Sequence, residues 1–272
     1  MKRTLFLVSD RTGITVETLV HSLVTQFNDP VERRITLPFV DNSAKVNAAV
    51  QQINQVAADD GLAPIVFSSL INAQHRQQLK ECEGVVFDLL ETFLQPLSQV
   101  LGMPPKEEVG LSHAMGEPTT YDSRVEAVNF ALNYDDGVRY RDLGRADIIL
   151  LGVSRSGKTP TCLYLAMHYG ALAANYPLTE EDFKRNDIPM PVREHENKLF
   201  GLTITPERLH NIREERRPGS KYSAIGTCRK ELQAAEALFK THNIPYLDST
   251  SISIEEMASA IMHRARIPHR IF

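Results

Sequence analysis

The stretch DIILLGVSRSGKTP, from Asp147 to Pro160, joins a continuous apolar run to the start of a helix through a turn with two glycines. Such an apolar run is typical of a β-strand in a parallel sheet that is covered on both faces. Pro160 suits the first turn of a helix, because the N–H that it lacks would have no intrahelical partner there. This order of strand, glycine-containing turn and helix predicts an α/β domain built around the strand.

The turn matches the pattern G-x-x-x-x-G-K-[ST], with Gly152 and Gly157 at the two glycine positions. Glycines there let backbone N–H groups approach phosphate oxygens without an intervening Cβ. Lys158 brings a positive charge to the terminal phosphate, Thr159 offers a hydroxyl to Mg²⁺, and the helix points its positive end at the same anion. We predict a nucleotide site with Lys158 as a catalytic residue and Thr159 as a metal ligand. The predicted phosphate-binding residues are Gly152, Val153, Ser154, Arg155, Ser156, Gly157, Lys158 and Thr159.

Composition and charge argue against several classes of protein. Of 272 residues, 42% are hydrophobic and 24% charged, which is typical of a soluble globular protein. The net charge of -4 leaves no basic excess for a nucleic-acid or membrane-surface partner. No apolar run approaches the roughly 18 residues of a membrane span, and the N-terminal run is too short for a signal peptide. The three separated cysteines predict buried thiols in a reducing compartment, so we expect a cytoplasmic protein.

Apolar runs alternate with helical periodicity along the chain, which predicts a βαβ organisation. The predicted strands are 4–9, 34–40, 65–68, 85–89, 147–153, 171–175, 199–204 and 245–248. The segment from Gly102 to Thr120, rich in glycine and proline, is predicted to be a long loop, followed by a helix from Tyr121 to Tyr134. We therefore predict an N-terminal Rossmann-like α/β domain at 1–138 and a C-terminal P-loop kinase-like α/β domain at 139–272.

Further candidates come from a basic segment and from one aspartate. A segment that also holds a Pro-Gly pair is rich in basic residues, and such a segment can close over phosphates as a lid. Its basic residues are Arg208, Arg213, Arg216, Arg217 and Lys221. A solvated helix face is the alternative, because glutamates are interspersed; Arg216 and Arg217 are the preferred lid residues. Asp248 ends a predicted strand, where it could act as the base for an incoming hydroxyl or assist Mg²⁺. A structural cap of the next segment is the alternative. The turn Ser9–Gly13 has anion-binding potential, but a plain helix cap explains it equally well.

Six motifs spread over the chain resemble those of one known family. They are SDRTGIT (Ser9–Thr15), RVEAVNFAL (Arg124–Leu132), GVSRSGKTPTCLYLA (Gly152–Ala166), AANYPLT (Ala173–Thr179), KLFGLTI (Lys198–Ile204) and NIPYLDST (Asn243–Thr250). Together they span essentially the whole chain and are far more specific than the glycine-lysine pattern alone. On these motifs the chain resembles the regulatory proteins of phosphoenolpyruvate synthase and of pyruvate, phosphate dikinase.

The resemblance implies a bifunctional enzyme. Members of the family phosphorylate a threonine of their target with ADP as the donor, which inactivates the target, and remove the group with inorganic phosphate, which releases pyrophosphate. The resemblance therefore implies ADP, inorganic phosphate and Mg²⁺ as ligands. The implied protein substrate is phosphoenolpyruvate synthase (pyruvate, water dikinase) or pyruvate, phosphate dikinase, and the segments AANYPLT and IPYLDST favour the synthase. The oligomeric state stays open, with a homodimer as one option.

Two functions from other classes stay open on the residues alone. A small-molecule kinase of the nucleotide-kinase type would share the turn, the basic segment and the α/β core. It would not by itself explain the additional N-terminal α/β block. The second alternative is a nucleotide-gated binding module without catalysis.

Overall fold

The structure of the protein is a computed structural model that describes residues 3–28, 31–107, 118–137, 142–185 and 187–268, with 118–121 described by their backbone alone. The chain divides into two compact units, Met1–Ala114 and Met115–Phe272. Each unit is built on one four-stranded parallel sheet, which confirms the predicted α/β class. Among the described residues, no helix has both the length and the apolar character needed to cross a membrane.

The first unit alternates strands and helices from its start. Its elements are β1 (Arg3–Val8), α1 (Ile14–Val24), β2 (Val31–Leu37), α2 (Ser43–Asp60), β3 (Ile65–Ser68), α3 (Ala73–Leu79), β4 (Val85–Asp88) and α4 (Glu91–Leu101). The strand order is β2-β1-β3-β4. Phe6 and Val8 of β1 pack in one apolar cluster with residues of α2, whereas Leu5 and Leu7 pack in another with residues of α1. Apolar side chains on both faces of β1 explain its continuous apolar sequence.

The second unit repeats this architecture on the sheet β6-β5-β7-β8. Its elements are α5 (Pro118–Asn133), β5 (Ile148–Gly152), α6 (Lys158–Tyr169), β6 (Ala173–Pro177), α7 (Glu180–Arg185), β7 (Leu199–Thr203), α8 (Pro206–Arg216), α9 (Ile225–Thr241), β8 (Tyr246–Asp248) and α10 (Ile254–Arg264), with 3₁₀ helices at Leu143–Arg145 and Met190–Lys198. Every residue of β5 is buried. A Cβ on Gly201 of β7 would lie 2.7 Å from the Phe239 ring of α9, so glycine there allows helix and sheet to pack closely.

All eight predicted strands are present, and two of them are displaced along the sequence. Strand β2 was expected at 34–40 but ends at Leu37, because the chain turns at Phe39, whose backbone is left-handed (φ 57°). Strand β6 was expected to begin at Ala171. The backbone N–H of Ala171 instead donates to Leu165 O and closes the end of α6, so β6 begins at Ala173.

The division into units differs from the predicted boundary at residue 138. That position lies outside the described residues, as does 108–117 of the predicted loop at Gly102–Thr120. Helix α5 begins at Pro118, three residues before its predicted start. Its buried residues Ala127, Phe130 and Ala131 belong to the same core as β5 and α6. Because its apolar face packs in that core, α5 belongs to the second unit and not to the first.

Candidate functional site

The predicted phosphate-binding turn, called here the 152–159 loop, joins the end of β5 to the start of α6. Strand β5 pairs with β6 on one side and with β7 on the other. The chain leaves β5 toward β6 and then crosses to β7, so the strand order reverses at β5. Crevices that bind ligands form at the carboxyl ends of parallel strands where the order reverses in this way. The predicted loop therefore lies where an α/β sheet ordinarily binds its ligand.

The two glycines of the 152–159 loop are required for different reasons. Gly157 has φ 93°, in the left-handed region that favours glycine, and it precedes the first residue of α6. Gly152 is required by proximity, since a Cβ there would lie 2.6 Å from both Leu202 O and Ser156 Oγ. Arg155 also has a left-handed backbone, with φ 75°. A strained non-glycine residue of this kind costs on the order of 1 kcal/mol and is characteristic of loops shaped for a ligand.

Lys158 is the first residue of α6, and its side chain lies beneath the loop. The residue is 4% exposed, and its Nζ donates to Val153 O at 3.0 Å. Burial lowers the pKa of Lys158 to about 8, against the opposing effect of the nearby carboxylates of Asp136 and Asp135. A buried ammonium whose one described acceptor is a neutral carbonyl gains stability from an anion placed beside it.

The hydroxyl of Thr159 belongs to a polar network that joins three elements. Its Oγ1 donates to Asp135 Oδ1 at 2.8 Å. The side-chain amide of Asn175, on β6, donates to the same carboxylate oxygen and lies 3.3 Å from Thr159 Oγ1. The backbone N–H of Asp136 donates to Asn175 Oδ1 at 3.1 Å. The predicted metal-binding hydroxyl is therefore held by a carboxylate at the end of α5.

Arg213 is placed differently from the sequence expectation. The sequence places it in a basic segment that forms either a lid or a solvated helix face, but its side chain is fully buried. Its guanidinium donates to Ser154 O at 3.0 Å and to Tyr222 O at 3.1 Å, and it pairs with Glu231 at 2.7 Å. It also lies 4.2 Å from the centre of the Tyr222 ring. These bonds make Arg213 a structural anchor of the 152–159 loop, because the guanidinium fork has several donors in fixed directions.

The two preferred lid residues lie next to this anchor. Arg216 is in the last turn of α8 and Arg217 follows it, and both side chains are exposed. The hydroxyl of Tyr222, in the turn that follows α8, lies 2.9 Å from Ser154 Oγ. The Arg217 guanidinium lies 6.0 Å from the centre of that tyrosine ring. The basic segment is therefore connected to the 152–159 loop through Tyr222, and the two preferred lid residues remain exposed.

Asp248 ends β8 as predicted and is exposed. Its Oδ1 accepts from the backbone N–H of Thr250 at 2.8 Å and from the Thr250 hydroxyl. These bonds are those of a turn-capping aspartate, the structural alternative that the sequence left open. The next residue, Ser249, has its hydroxyl 3.1 Å from Ser156 O and 2.9 Å from Thr203 O. Asp248 thus lies next to a residue that contacts the 152–159 loop.

The first unit has its own strand-to-helix turn at Ser9–Gly13. The Ser9 hydroxyl accepts from the N–H of Arg11 at 3.3 Å, and Asp10 Oδ2 accepts from the N–H of Ile71 at 2.9 Å. Gly13 has φ 85° where α1 begins. The polar groups of this turn thus bond within the turn and to the adjacent loop, and among the described residues no side chain caps the start of α1.

Sequence reasoning missed Asp135, Asn175 and Tyr222. Asn175 carries a recognisable signal, because it is a polar residue inside the buried strand AANYP, and buried polar side chains need partners. Asp135 follows the end of α5, and its sequence is typical of residues that end a helix. Only the packing of α5 against α6 and β6 brings it to Thr159.

No group of three or more His, Cys, Asp or Glu side chains within the described ranges is arranged to hold a metal ion by itself. The oxygen atoms around Thr159 and Asp135 are nevertheless of the kind that Mg²⁺ prefers. Mg²⁺ is usually bound by one or two protein oxygens together with water and substrate phosphates. The residues present fit that mode of binding.

The chain belongs to the kinase/pyrophosphorylase family, whose sequence model matches residues 5–262. A relative from Alcanivorax borkumensis is 49% identical over 271 residues, which cover 100% of both chains. A relative from Pseudomonas aeruginosa PAO1 is 47% identical over 270 residues, covering 99% of this chain and 98% of its own. Both relatives carry the provisional name phosphoenolpyruvate synthase regulatory protein.

Proposed function

We propose that this protein is a bifunctional kinase and phosphorylase that acts on a threonine of phosphoenolpyruvate synthase. In the forward direction the β-phosphoryl group of ADP passes to the threonine hydroxyl, leaving AMP and phosphothreonine. In the reverse direction inorganic phosphate takes the group from phosphothreonine, which yields threonine and pyrophosphate. Membership of the kinase/pyrophosphorylase family and the name shared by the relatives support the pair of reactions and the target. The cytoplasmic setting expected from the three free, buried cysteines is part of the proposal.

The observation that carries the proposal is the buried Lys158 at the start of α6, beneath a loop at the carboxyl end of β5. In a P-loop domain of the kinase type, this lysine would face the transferred phosphate. Without a ligand its ammonium donates to a neutral carbonyl, Val153 O, at 3.0 Å. When ADP binds, the ammonium would donate to a phosphate oxygen instead. The backbone N–H groups of Lys158 and Thr159, in the first turn of α6, have no partner within the helix and can bind phosphate oxygens. Phosphoryl transfer needs mainly such positioning and charge stabilisation.

Other residues have roles that follow from their positions. Thr159 would hold Mg²⁺, which neutralises charge on the phosphate oxygens when bound. Arg216 and Arg217 are both exposed, and Arg217 lies beside Tyr222; we propose that both move over the phosphates as the charge redistributes. We propose Asp248 as the base that accepts the proton of the target threonine, because its carboxylate is exposed at the end of β8. The N-terminal Rossmann-like unit has no assigned step, and recognition of the target is the role that we propose for it.

Incubation with ADP labelled on its β-phosphate, with and without purified phosphoenolpyruvate synthase, tests the proposal. We expect the label on a threonine of the synthase only when the synthase is present. Label transferred to a small molecule would instead indicate a kinase of the nucleotide-kinase type. Tight ADP binding without any transfer would indicate a binding module.

A further inference from the structure

The hydrogen-bond network around Thr159 does more than join α5 to α6, because it also holds one carboxylate in a defined position. Asp135 Oδ1 accepts from Thr159 Oγ1 at 2.8 Å and also from the side-chain amide of Asn175. Asn175 is 4% exposed. It holds the end of α5 at two further points, since its Oδ1 accepts from the Asp136 N–H at 3.1 Å and its own N–H donates to Tyr134 O at 3.0 Å. The carboxylate of Asp135 is thus held by hydrogen bonds within the protein itself.

The direction of the Thr159 hydroxyl hydrogen matters for binding a cation. A neutral hydroxyl has one proton to donate and two lone pairs to offer. A hydroxyl that binds a divalent cation uses a lone pair, so its proton must point away from the cation toward an acceptor. Asp135 Oδ1 is such an acceptor, and a negatively charged acceptor makes the hydroxyl oxygen more electron-rich.

We propose that Asp135 is a positioning residue that orients the Thr159 hydroxyl toward the cation at the ADP phosphates, and that Asn175 holds Asp135 in position. This inference rests on the proposed function, since the cation accompanies the nucleotide of that site. Asp135 acts through Thr159 and does not itself contact the cation. The partner of a metal ligand contributes about 10-fold to 100-fold in metal affinity, and we expect an effect of that size.

Two other roles for Asp135 make different predictions. A purely structural role, tying α5 to α6, would leave the affinity for the cation unchanged in any variant that folds. A long-range electrostatic role, through the charge near Lys158, would be shared by Asp136, whose carboxylate also raises the pKa of Lys158. Asp136 is exposed and has φ 46°, a conformation that asparagine tolerates. Asp136→Asn therefore removes the same charge one position further along and serves as the matched control.

The test measures Mn²⁺ binding to the full chain at saturating ADP, by the loss of the free-ion electron paramagnetic resonance signal. Mn²⁺ replaces Mg²⁺ because it favours the same oxygen ligands. We expect Asp135→Ala and Thr159→Val each to weaken Mn²⁺ binding by about 10-fold to 100-fold. The double variant should be no weaker than Thr159→Val, because Asp135 acts only through that hydroxyl. Asp136→Asn should stay within about threefold of the wild type.

Several outcomes would overturn the inference. An unchanged Mn²⁺ affinity in Asp135→Ala would leave only the structural role. Equal losses in Asp135→Ala and Asp136→Asn would indicate long-range charge, and additive losses in the double variant would make Asp135 a direct ligand. If Asp135→Ala does not fold, Asp135→Asn replaces it with a weaker acceptor of the same shape, and a loss below threefold would then count against the inference.

ADP binding by calorimetry in EDTA separates this inference from the proposed function. We expect the wild type and Asp135→Ala to bind metal-free ADP within about threefold of each other, because the loop and Lys158 are intact. A wild type that does not bind ADP would overturn the proposed function and this inference together. ADP binding with a Mn²⁺ affinity that is insensitive to Asp135 would overturn this inference alone.

Discussion

At the scale of single residues, we expect the burial of Lys158 to make the proposed phosphate binding depend on pH. Burial lowers the pKa of Lys158 to about 8 in the free protein. A bound diphosphate favours the ammonium and raises that pKa. At a pH between these two pKa values, Lys158 is protonated in the ADP complex and deprotonated in the free protein. ADP binding therefore takes up a proton above about pH 8, and the affinity falls as pH rises, by up to about tenfold per pH unit.

Calorimetric titration with ADP between pH 7 and pH 9.5, in buffers of different ionisation enthalpy, measures this proton uptake. Lys158→Met has no ammonium at this position. It should bind ADP weakly, and its binding should lack the proton uptake that Lys158 causes in the wild type. An ADP affinity that does not change across this range would show that the lysine does not face the phosphates.

Removal of the Lys158 charge is expected to abolish both reactions. Lys158→Ala should lower ADP-dependent phosphorylation and phosphate-dependent dephosphorylation by at least about 10²-fold, the effect of removing one preorganised donor to a transition state. Lys184→Ala is the matched control, since that side chain is 71% exposed and pairs with Glu180 on α7. The circular dichroism spectra of both variants should match the wild type. Near-normal turnover in either direction would show that the two reactions do not share this site.

The substitution Asp248→Asn distinguishes a catalytic base from a structural cap at this position. In Asp248→Asn the amide oxygen can still accept from the Thr250 N–H, which Asp248 Oδ1 accepts at 2.8 Å, so the turn should persist. The amide cannot accept the threonine proton, and we expect phosphorylation to fall by about 10²-fold with little change in thermal stability. Unchanged turnover, measured by the mass of the target peptide, would leave Asp248 with the structural role alone.

At the scale of elements, the arginines of α8 and of the turn after it differ in burial: Arg213 is buried and paired, whereas Arg216 and Arg217 are exposed. Arg213→Ala would leave Glu231, Ser154 O and Tyr222 O without their shared partner. Loss of one member of a buried pair costs about 3–5 kcal/mol, and the 30% exposure of Glu231 favours the lower end. Arg216→Ala removes an exposed side chain and should change the free energy of unfolding by less than about 0.5 kcal/mol.

Urea unfolding followed by circular dichroism measures both variants. If Arg216→Ala or Arg217→Ala lowers turnover without a change in the unfolding midpoint, the lid is supported. A stable Arg213→Ala variant would contradict the anchoring role that its contacts assign.

At the scale of the whole molecule, the proposed donor, ADP, would distinguish this protein from an ordinary P-loop kinase. We expect ADP to phosphorylate the target threonine and ATP, freed of ADP, to be a poor donor, because the site would be arranged for two phosphates in line with a hydroxyl. Addition of phosphate to the phosphorylated synthase should release pyrophosphate. Peptide mass and a pyrophosphate assay give both results. Efficient labelling by ATP, with no pyrophosphate in the reverse direction, would refute the assignment.

Much of the fold could be predicted because its signals are local. A continuous apolar run such as Ile148–Leu151 indicates a strand that is buried on both faces. Gly170 indicates the end of α6, because glycine readily adopts the left-handed backbone found there. The errors lie where a distant contact decided the outcome. Strand β2 ends early because the Phe39 N–H donates to Arg11 O at 2.8 Å. Helix α5 belongs to the second unit because its apolar face packs in that core.

The sequence by itself determined the parallel α/β class, the eight strand regions and the position of the 152–159 loop. Each of these follows from the order and polarity of residues close together in the chain. Tertiary structure alone decided that Asp135 meets Thr159 from 24 residues away and that Arg213 is buried under Ser154 from 59 residues away. Burial and pairing of a charge depend on which elements pack together. That information lies in the fold as a whole and in no short stretch of sequence.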